Sequence, residues 1–461
     1  MLALNYKTIL SVALPMMVTG FIQSIVLLTD ASMIARYSTE AFDAVGNAGL
    51  MYVTLFMCLA GMADGAQIII ARRIGQDRQQ LIGQVFGSTV WVLFMLAIGL
   101  FVMLYFIMPD WVLQYSEQKE IAKLQGIYLE QRSFALFFAM ITLSIQAFFL
   151  AEGKSWVVLV TAILTASCNA LLDYLLIFGE FGFPEMGIKG AALASTIADA
   201  IGMASMVGFL LFSKEQKKYK LLAYFKVDFT SIKELLKVGS PLLLQGFSAL
   251  ATWTLFFTWL EQKGTFDLTV SQNIRSIYFL AFVPIWGFAG TTKTYISQYL
   301  GAKKLDQIPN IQRKIQLLTV AFMLCTFHGA LLYPEVLIRM VNPAEAYVAK
   351  SADILRLIAV SILLFGFISV YFQTIHGSGN TLHSMLIEFF TVGVYSIFCY
   401  LFIKVWAFDV YWIWTVEYIY FGVLGIISIT YLRKVNWQNK QVWVHHYESF
   451  SWGHPPLPSV F

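Results

Sequence analysis

Apolar runs long enough to cross a bilayer recur along the whole chain, from "ILSVALPMMVTGFIQSIVLLTDASMIA" at 9–35 to "VYWIWTVEYIYFGVLGIISITYL" at 410–432. A helix of about 20 apolar residues spans the hydrocarbon core and satisfies its own backbone polar groups, whereas barrel strands alternate over about 10 residues. The runs here are continuous, so the expectation is an all-α polytopic membrane protein. Composition agrees: 58% of residues are hydrophobic and 13% charged, against roughly 25% charged in soluble domains. A net charge of +4 gives no reason to expect a nucleic-acid partner; the surroundings are membrane lipid.

Polar, Gly and Pro punctuation divides the chain into twelve spans, near 9–35, 44–71, 81–108, 126–150, 156–178 and 188–212, then 238–260, 271–297, 314–333, 353–376, 384–406 and 410–432. The first run is too long for a signal peptide and has no cleavage site, so it reads as a retained span. With the N-terminus in the cytoplasm, the inner segments hold nineteen Lys and Arg and the outer ones six. That asymmetry predicts a multi-pass protein of the cell (inner) membrane with both termini cytoplasmic. The expected organisation is an N-terminal bundle at 1–212, a basic cytoplasmic linker at 213–237, a C-terminal bundle at 238–434 and a cytoplasmic tail at 435–461.

The halves are related. A shift of 226 residues lays "VALPMMVTGF" (12–21) over "VGSPLLLQGF" (238–247) and pairs Asn47 with Asn273, Tyr52 with Tyr278, Gly61 with Gly287, Gly75 with Gly301 and Tyr174 with Tyr400. Six helices per half bring both halves into the membrane from the same side, so the predicted relation is an axis along the membrane normal. Two such bundles enclose a cleft and can rock against each other.

The repeat also shows where the halves diverge. Asp30 lies opposite Phe256, Asn169 opposite Tyr395 and Asp173 opposite Cys399. Asp30 and Asp173 fall at a common depth, roughly 25 to 30 Å from the inner ends of spans 1 and 5, and Asn169 stacks one turn from Asp173. Ionised carboxylates are costly in a low-dielectric interior, and intramembrane acids are functional candidates. Such a cluster can carry a proton, or its oxygens can hold a hard cation such as sodium; the residues leave both open. The competing structural reading has Asp30 capping a helix end and Asp173 paired for stability.

At these residues the chain resembles the multidrug and toxic compound extrusion (MATE) transporter family, over about residues 5–435. The likeness is carried by "ALPMMVTGFIQSIVLLTDASMIARYS", "VGNAG", "ARRIGQDR", "NALLDYLLIFGEFGFPEMGIKGAALAS" and "HGSGNT", in that order. It implies a two-lobed, twelve-helix exporter of small amphipathic, often cationic compounds driven by proton or sodium entry, with no cofactor beyond the transported ion and functional as a monomer. It also implies an N-lobe cation site at Asp30, Asn169 and Asp173. Spans 7 and 10 lack the acids of sodium-coupled members, so no cation site is expected in the C-lobe.

Further candidates are Asp64 and Gln67 as an inner gate, with interfacial solvation the plainer reading, and Asp199 beside the N-lobe cavity. Glu130 and Arg132 read as a local charge pair or interface anchors, and Glu388 and Glu417 as substrate contacts. Met16, Met17, Met51, Met57 and the aromatic stretches 251–259 and 410–421 can line a pocket, though lipid-facing roles are commoner. The tail offers His445, His446, Glu448 and His454, read as tail rather than metal site, and the four cysteines lie in apolar runs without CxxC spacing, so no metal site is expected. A flippase for lipid-linked glycans is the second reading, with Arg275, Lys293 and Arg356 as its basic candidates. An enzyme is not expected, since H-E-x-x-H, G-x-S-x-G and P-loop patterns are missing.

Overall fold

The computed structural model describes residues 1–116, 118–223 and 227–438, except the side chains of Leu250 and Phe279, and these residues form helices and connecting turns. The first half contains α1 (Tyr6–Tyr37), α2 (Thr39–Gly75), α3 (Gln79–Tyr115), α4 (Lys119–Ser133), α5 (Ala135–Glu152), α6 (Ser155–Phe178), α7 (Gly187–Phe212) and the short α8 (Lys214–Tyr219). The second contains α9 (Phe229–Lys263), α10 (Thr265–Gly301), α11 (Ile308–Phe327), α12 (Pro334–Val341), α13 (Glu345–Gly377), α14 (Thr381–Val405) and α15 (Val416–Lys434).

The helix ends follow local chemistry. The Asn5 side chain accepts from the Thr8 N–H and starts α1, and Ser38 accepts from the Ala41 N–H, separating α1 from α2. Asp228 accepts from the Thr230 and Ser231 N–H groups, so α9 begins at Phe229, well before the apolar run at 238. Gly179, at φ +72°, closes α6 in the left-handed conformation.

Ten helices are long and apolar enough to cross a membrane among the described residues, or eleven when α10 counts as one bent span. The bend is 42°, between Tyr278 and Leu280; Pro284 cannot donate to the carbonyl four residues earlier and crowds it. The expected fourth span is interrupted at Phe134, between α4 and α5. The expected ninth, α11, carries Asn310, Gln312, Arg313, Lys314 and Gln316 in its first half, which leaves it less apolar than the rest.

Each half has a hydrophobic core of its own, one running through α2 to α7 and joined by Leu235, Val238 and Leu242 at the start of α9, the other through α9 to α15. Ile9, Ala13 and Met17 of α1 pack with Phe288, Tyr295 and Ile296 of α10 and knit the halves together. The closest contacts between halves gather at the end of the bundle that carries the N-terminus. A methyl group on Gly61 would sit 2.7 Å from Leu243 Cα, and one on Gly287 would sit 2.4 Å from Met17 Cγ. Deeper in the seal, a methyl on Gly75 would lie 2.0 Å from Gln298 O and one on Gly301 2.2 Å from Arg72 O. Under the 226-residue shift Met17 corresponds to Leu243 and Arg72 to Gln298, so each contact is the image of its partner. The structure is therefore the state in which this end is shut by backbone lying against backbone.

Candidate functional site

The acid cluster is assembled by three helices of the first half. α1 packs along α6, and Ser155 at the start of α6 donates to Val12 O at 2.6 Å. That bond falls in the turn where Pro15 leaves α1 without a backbone donor. α1 then carries Asp30 to the far end of the bundle, beside Asp173 of α6. Asp173 is fully buried and Asn169 is 3% exposed. The Asn169 amide donates to Asp173 Oδ2 and to Ser195 Oγ of α7, both at 3.3 Å. The carboxyl of Asp30 lies close to that of Asp173. Asp30 Oδ1 and Asp173 Oδ1 are buried and receive no hydrogen bond from any donor group of the protein.

Two acceptor-only carboxylates cannot hydrogen-bond each other unless one holds a proton. The buried, unpartnered oxygens are places where a mobile positive charge is most favoured. The three residues expected to share a site therefore lie together, Asn169 and Asp173 buried and Asp30 half-buried.

Asp199 lies beside this cluster on α7, and its partner differs from the expected arrangement. Arg132, expected to pair with Glu130, instead meets Asp199 Oδ2 at 2.8 Å from across the bundle, while Glu130 is exposed. Residues two apart on a helix do not face each other, a rule that already separates Glu130 from Arg132. The Arg132 guanidinium also lies 4.3 Å from the centre of the Tyr52 ring. Arg132, Tyr52, Tyr128 and Ser195 are the neighbours the sequence reading did not gather.

Asp64 and Gln67 lie elsewhere, in the seal. Asp64 Oδ2 pairs with Lys293 Nζ of α10 at 2.7 Å, and Gln67 Nε2 donates to Thr294 Oγ1 at 3.0 Å. Both contacts cross between the halves; the Asp64 side chain remains 46% exposed, in keeping with interfacial solvation, whereas Gln67 is buried. The basic residues considered for a glycan cavity are separately engaged: Lys293 on Asp64, Arg275 over the Phe257 ring and Arg356 on Asp353. Glu417 accepts from Tyr278 at 2.6 Å and Tyr395 at 3.1 Å, and Glu388 accepts from Tyr420. His445, His446, Glu448 and His454 lie outside the described residues.

A family model, MatE, matches residues 15–175 and again 242–401. The chain belongs to the MatE family. Its members are transporters rather than enzymes. Among curated relatives of this MatE protein, the probable multidrug resistance protein NorM of Thermotoga maritima is 26% identical over 395 residues, covering 84% of this chain and 83% of the relative. The probable multidrug resistance protein NorM of Rhizobium meliloti is 24% identical over 442 residues, covering 94% and 93%. In solved structures the fold matches a MOP superfamily transporter from Pyrococcus furiosus, with a TM-score of 0.84, 19% identity and coverage of 93% and 95%. It also matches an outward-facing multidrug resistance MATE family transporter, with a TM-score of 0.82, 20% identity and the same coverage.

Proposed function

We propose that this MatE protein is a secondary antiporter that exports small amphipathic, cationic compounds in exchange for protons or sodium, with Asp30, Asn169 and Asp173 as the ion site. One observation carries the reading: two carboxyls share a buried site in which an oxygen of each has no partner. A purely structural acid pair would have its oxygens filled. The multidrug resistance names of the NorM relatives support the substrate class.

In this reading residues 1–212 and 238–434 are the moving bundles, related about an axis along the membrane normal, joined by the linker at 213–237 and followed by a tail at 435–461. A monomer in the inner membrane suffices, with both termini cytoplasmic. The shut end then faces the cytoplasm, and the Asp64–Lys293 and Gln67–Thr294 contacts are its gate. Ion binding favours one cleft conformation and substrate the other, which couples the two fluxes.

The test is efflux of a lipophilic cationic dye from proteoliposomes. Asp30→Asn and Asp173→Asn each replace one ionisable carboxyl by a neutral amide with little change of shape. Each is expected to abolish gradient-driven efflux while leaving the protein inserted, and wild-type rates in both variants would refute the assignment.

A further inference from the structure

The residues ahead of α1 are fastened to the other half of the molecule. The Leu2 N–H donates to Gln298 Oε1 at 2.7 Å, and the Tyr295 and Tyr299 hydroxyls donate to Ala3 O and Leu2 O at 2.9 and 3.0 Å. Lys314 Nζ donates to Leu4 O at 3.1 Å. Side chains of α10 and α11 thus grip the backbone of residues 2–4.

The same stretch touches the first half. A methyl group on Gly153, in the turn between α5 and α6, would sit 2.7 Å from Leu2 Cδ2. Gln298, 1% exposed, closes the joint: while its Oε1 takes the Leu2 N–H, its Nε2 donates to Ala151 O at 2.7 Å. Ala151 lies in the last turn of α5, where backbone carbonyls have no partner within the helix. One amide therefore ties together residues 2–4, α10 of the second half and the end of α5 of the first.

The other side of the seal is fastened by different chemistry. Under the 226-residue shift Tyr295, Gln298 and Tyr299 correspond to Ile69, Arg72 and Arg73. There Arg73 holds Glu234, near the start of α9, in a buried ion pair at 2.9 Å. The glycine contacts of the seal are images of each other, but beside them one side is joined by a charge pair and the other by a clasped peptide.

Resting on the two-bundle reading above, we infer that residues 2–4 are a strap that biases this end of the molecule toward its shut state and must leave α10 before the halves part. The strap leads into α1, which packs along α6, so one bundle carries it and the other grips it. A rocking motion that lifts Gln298 away from Gly75 also draws Gln298 Nε2 off Ala151 O and the two tyrosine hydroxyls off the strap. Each such bond has only a modest net value, because water replaces it once the end opens. The strap therefore sets a bias that the differential affinity of a bound ligand can overcome.

The double variant Tyr295→Phe/Tyr299→Phe deletes both hydroxyl bonds to the strap and keeps the two rings, whose centres lie 6.1 Å apart. Hydrogen–deuterium exchange reads the strap at 1–12 and the seal at 61–75 and 287–301, with α3 as a control outside the seal. Exchange should rise about tenfold in the strap and in both seal segments, the scale of two buried hydrogen bonds, and stay unchanged in α3. With dye supplied at this end, the half-saturating concentration should fall by about the same factor, since more of the protein is open to bind, while the maximal rate stays within about twofold. Leu2→Ala removes the side chain that lies against Gly153 and leaves the second half intact; it should move the same segments in the same direction, by about threefold.

A rise confined to 1–12 would mean that the seal holds without the strap and overturns the inference. Unchanged exchange in all three segments does so as well. If the double variant does not insert, Leu2→Ala carries the same two outcomes. A wild type that exports no dye removes the exchange reading, while hydrogen exchange in the same proteins still decides whether the strap holds the seal.

Discussion

The two halves hold corresponding positions and fill them in opposite ways. Where the first half has Asp30, Asn169 and Asp173, the second has Phe256, Tyr395 and Cys399, at 2%, 4% and 1% exposure. The Phe256 and Tyr395 rings sit 6.3 Å apart. Tyr395 and Tyr278, the latter corresponding to Tyr52, both donate to Glu417. The second half therefore also buries acids, but there two tyrosine hydroxyls fill the oxygens of Glu417, and Glu388 accepts from Tyr420. In the first half an oxygen of Asp30 and one of Asp173 are left open. The presence of a buried carboxyl is thus a poor mark of an ion site; what separates the halves is whether its acceptors are already occupied.

Away from these sites the halves agree, and the seal is where agreement has the largest predicted consequence. Gly75 faces Gln298 O and Gly301 faces Arg72 O with no room for a methyl. Gly75→Ala and Gly301→Ala should each force the shut end apart, and because the contacts are images of each other, to a similar degree. Hydrogen–deuterium exchange across 61–75 should rise about tenfold or more in both variants. A large rise in one and none in the other would break the symmetry of the seal.

The sequence made much of this legible, and the shortfalls have physical causes. Continuous apolar runs specified the helices, and the 226-residue shift marked Gly61, Gly75, Gly287 and Gly301 before their contacts were known. The acid triad was visible because charge is rare in such runs. The Arg132–Asp199 pair was not, because two residues 67 positions apart meet only through the packing of α4 on α7. Nor could the pattern show that Glu417 is filled by tyrosines, since hydroxyl partners drawn from α10 and α14 leave no local trace. The break at Phe134 did leave a local trace, the polar residues Glu130, Gln131, Arg132 and Ser133 immediately before it, which a span drawn from 126 to 150 runs over.

A second substitution addresses the filled site directly. Glu417→Met removes the acceptor and strands the Tyr278 and Tyr395 hydroxyls in a buried setting. Each unsatisfied donor should remove about 1–3 kcal/mol of stability, read as a lower unfolding temperature in detergent. Dye efflux by the folded fraction should stay within about twofold of wild type, since this acid has no open oxygen to offer a mobile ion. A collapse of efflux at normal stability would make Glu417 a second working acid and erase the contrast between the halves.

The smallest expected effect isolates one bond of that contrast. Tyr395→Phe deletes the hydroxyl that reaches Glu417 at 3.1 Å but keeps the ring against Phe256 and against Tyr420, whose ring centre is 5.6 Å away. Glu417 retains the shorter bond from Tyr278, so no carboxylate is left without a donor and the packing volume barely changes. The loss should be about 1–3 kcal/mol, because Glu417 Oε1 is left without its donor while Oε2 keeps the bond from Tyr278. Efflux and its ion preference should be unchanged. If this variant altered the pH profile of transport, the tyrosine opposite Asn169 would be part of the proton path, and the second half would be working chemistry rather than scaffold.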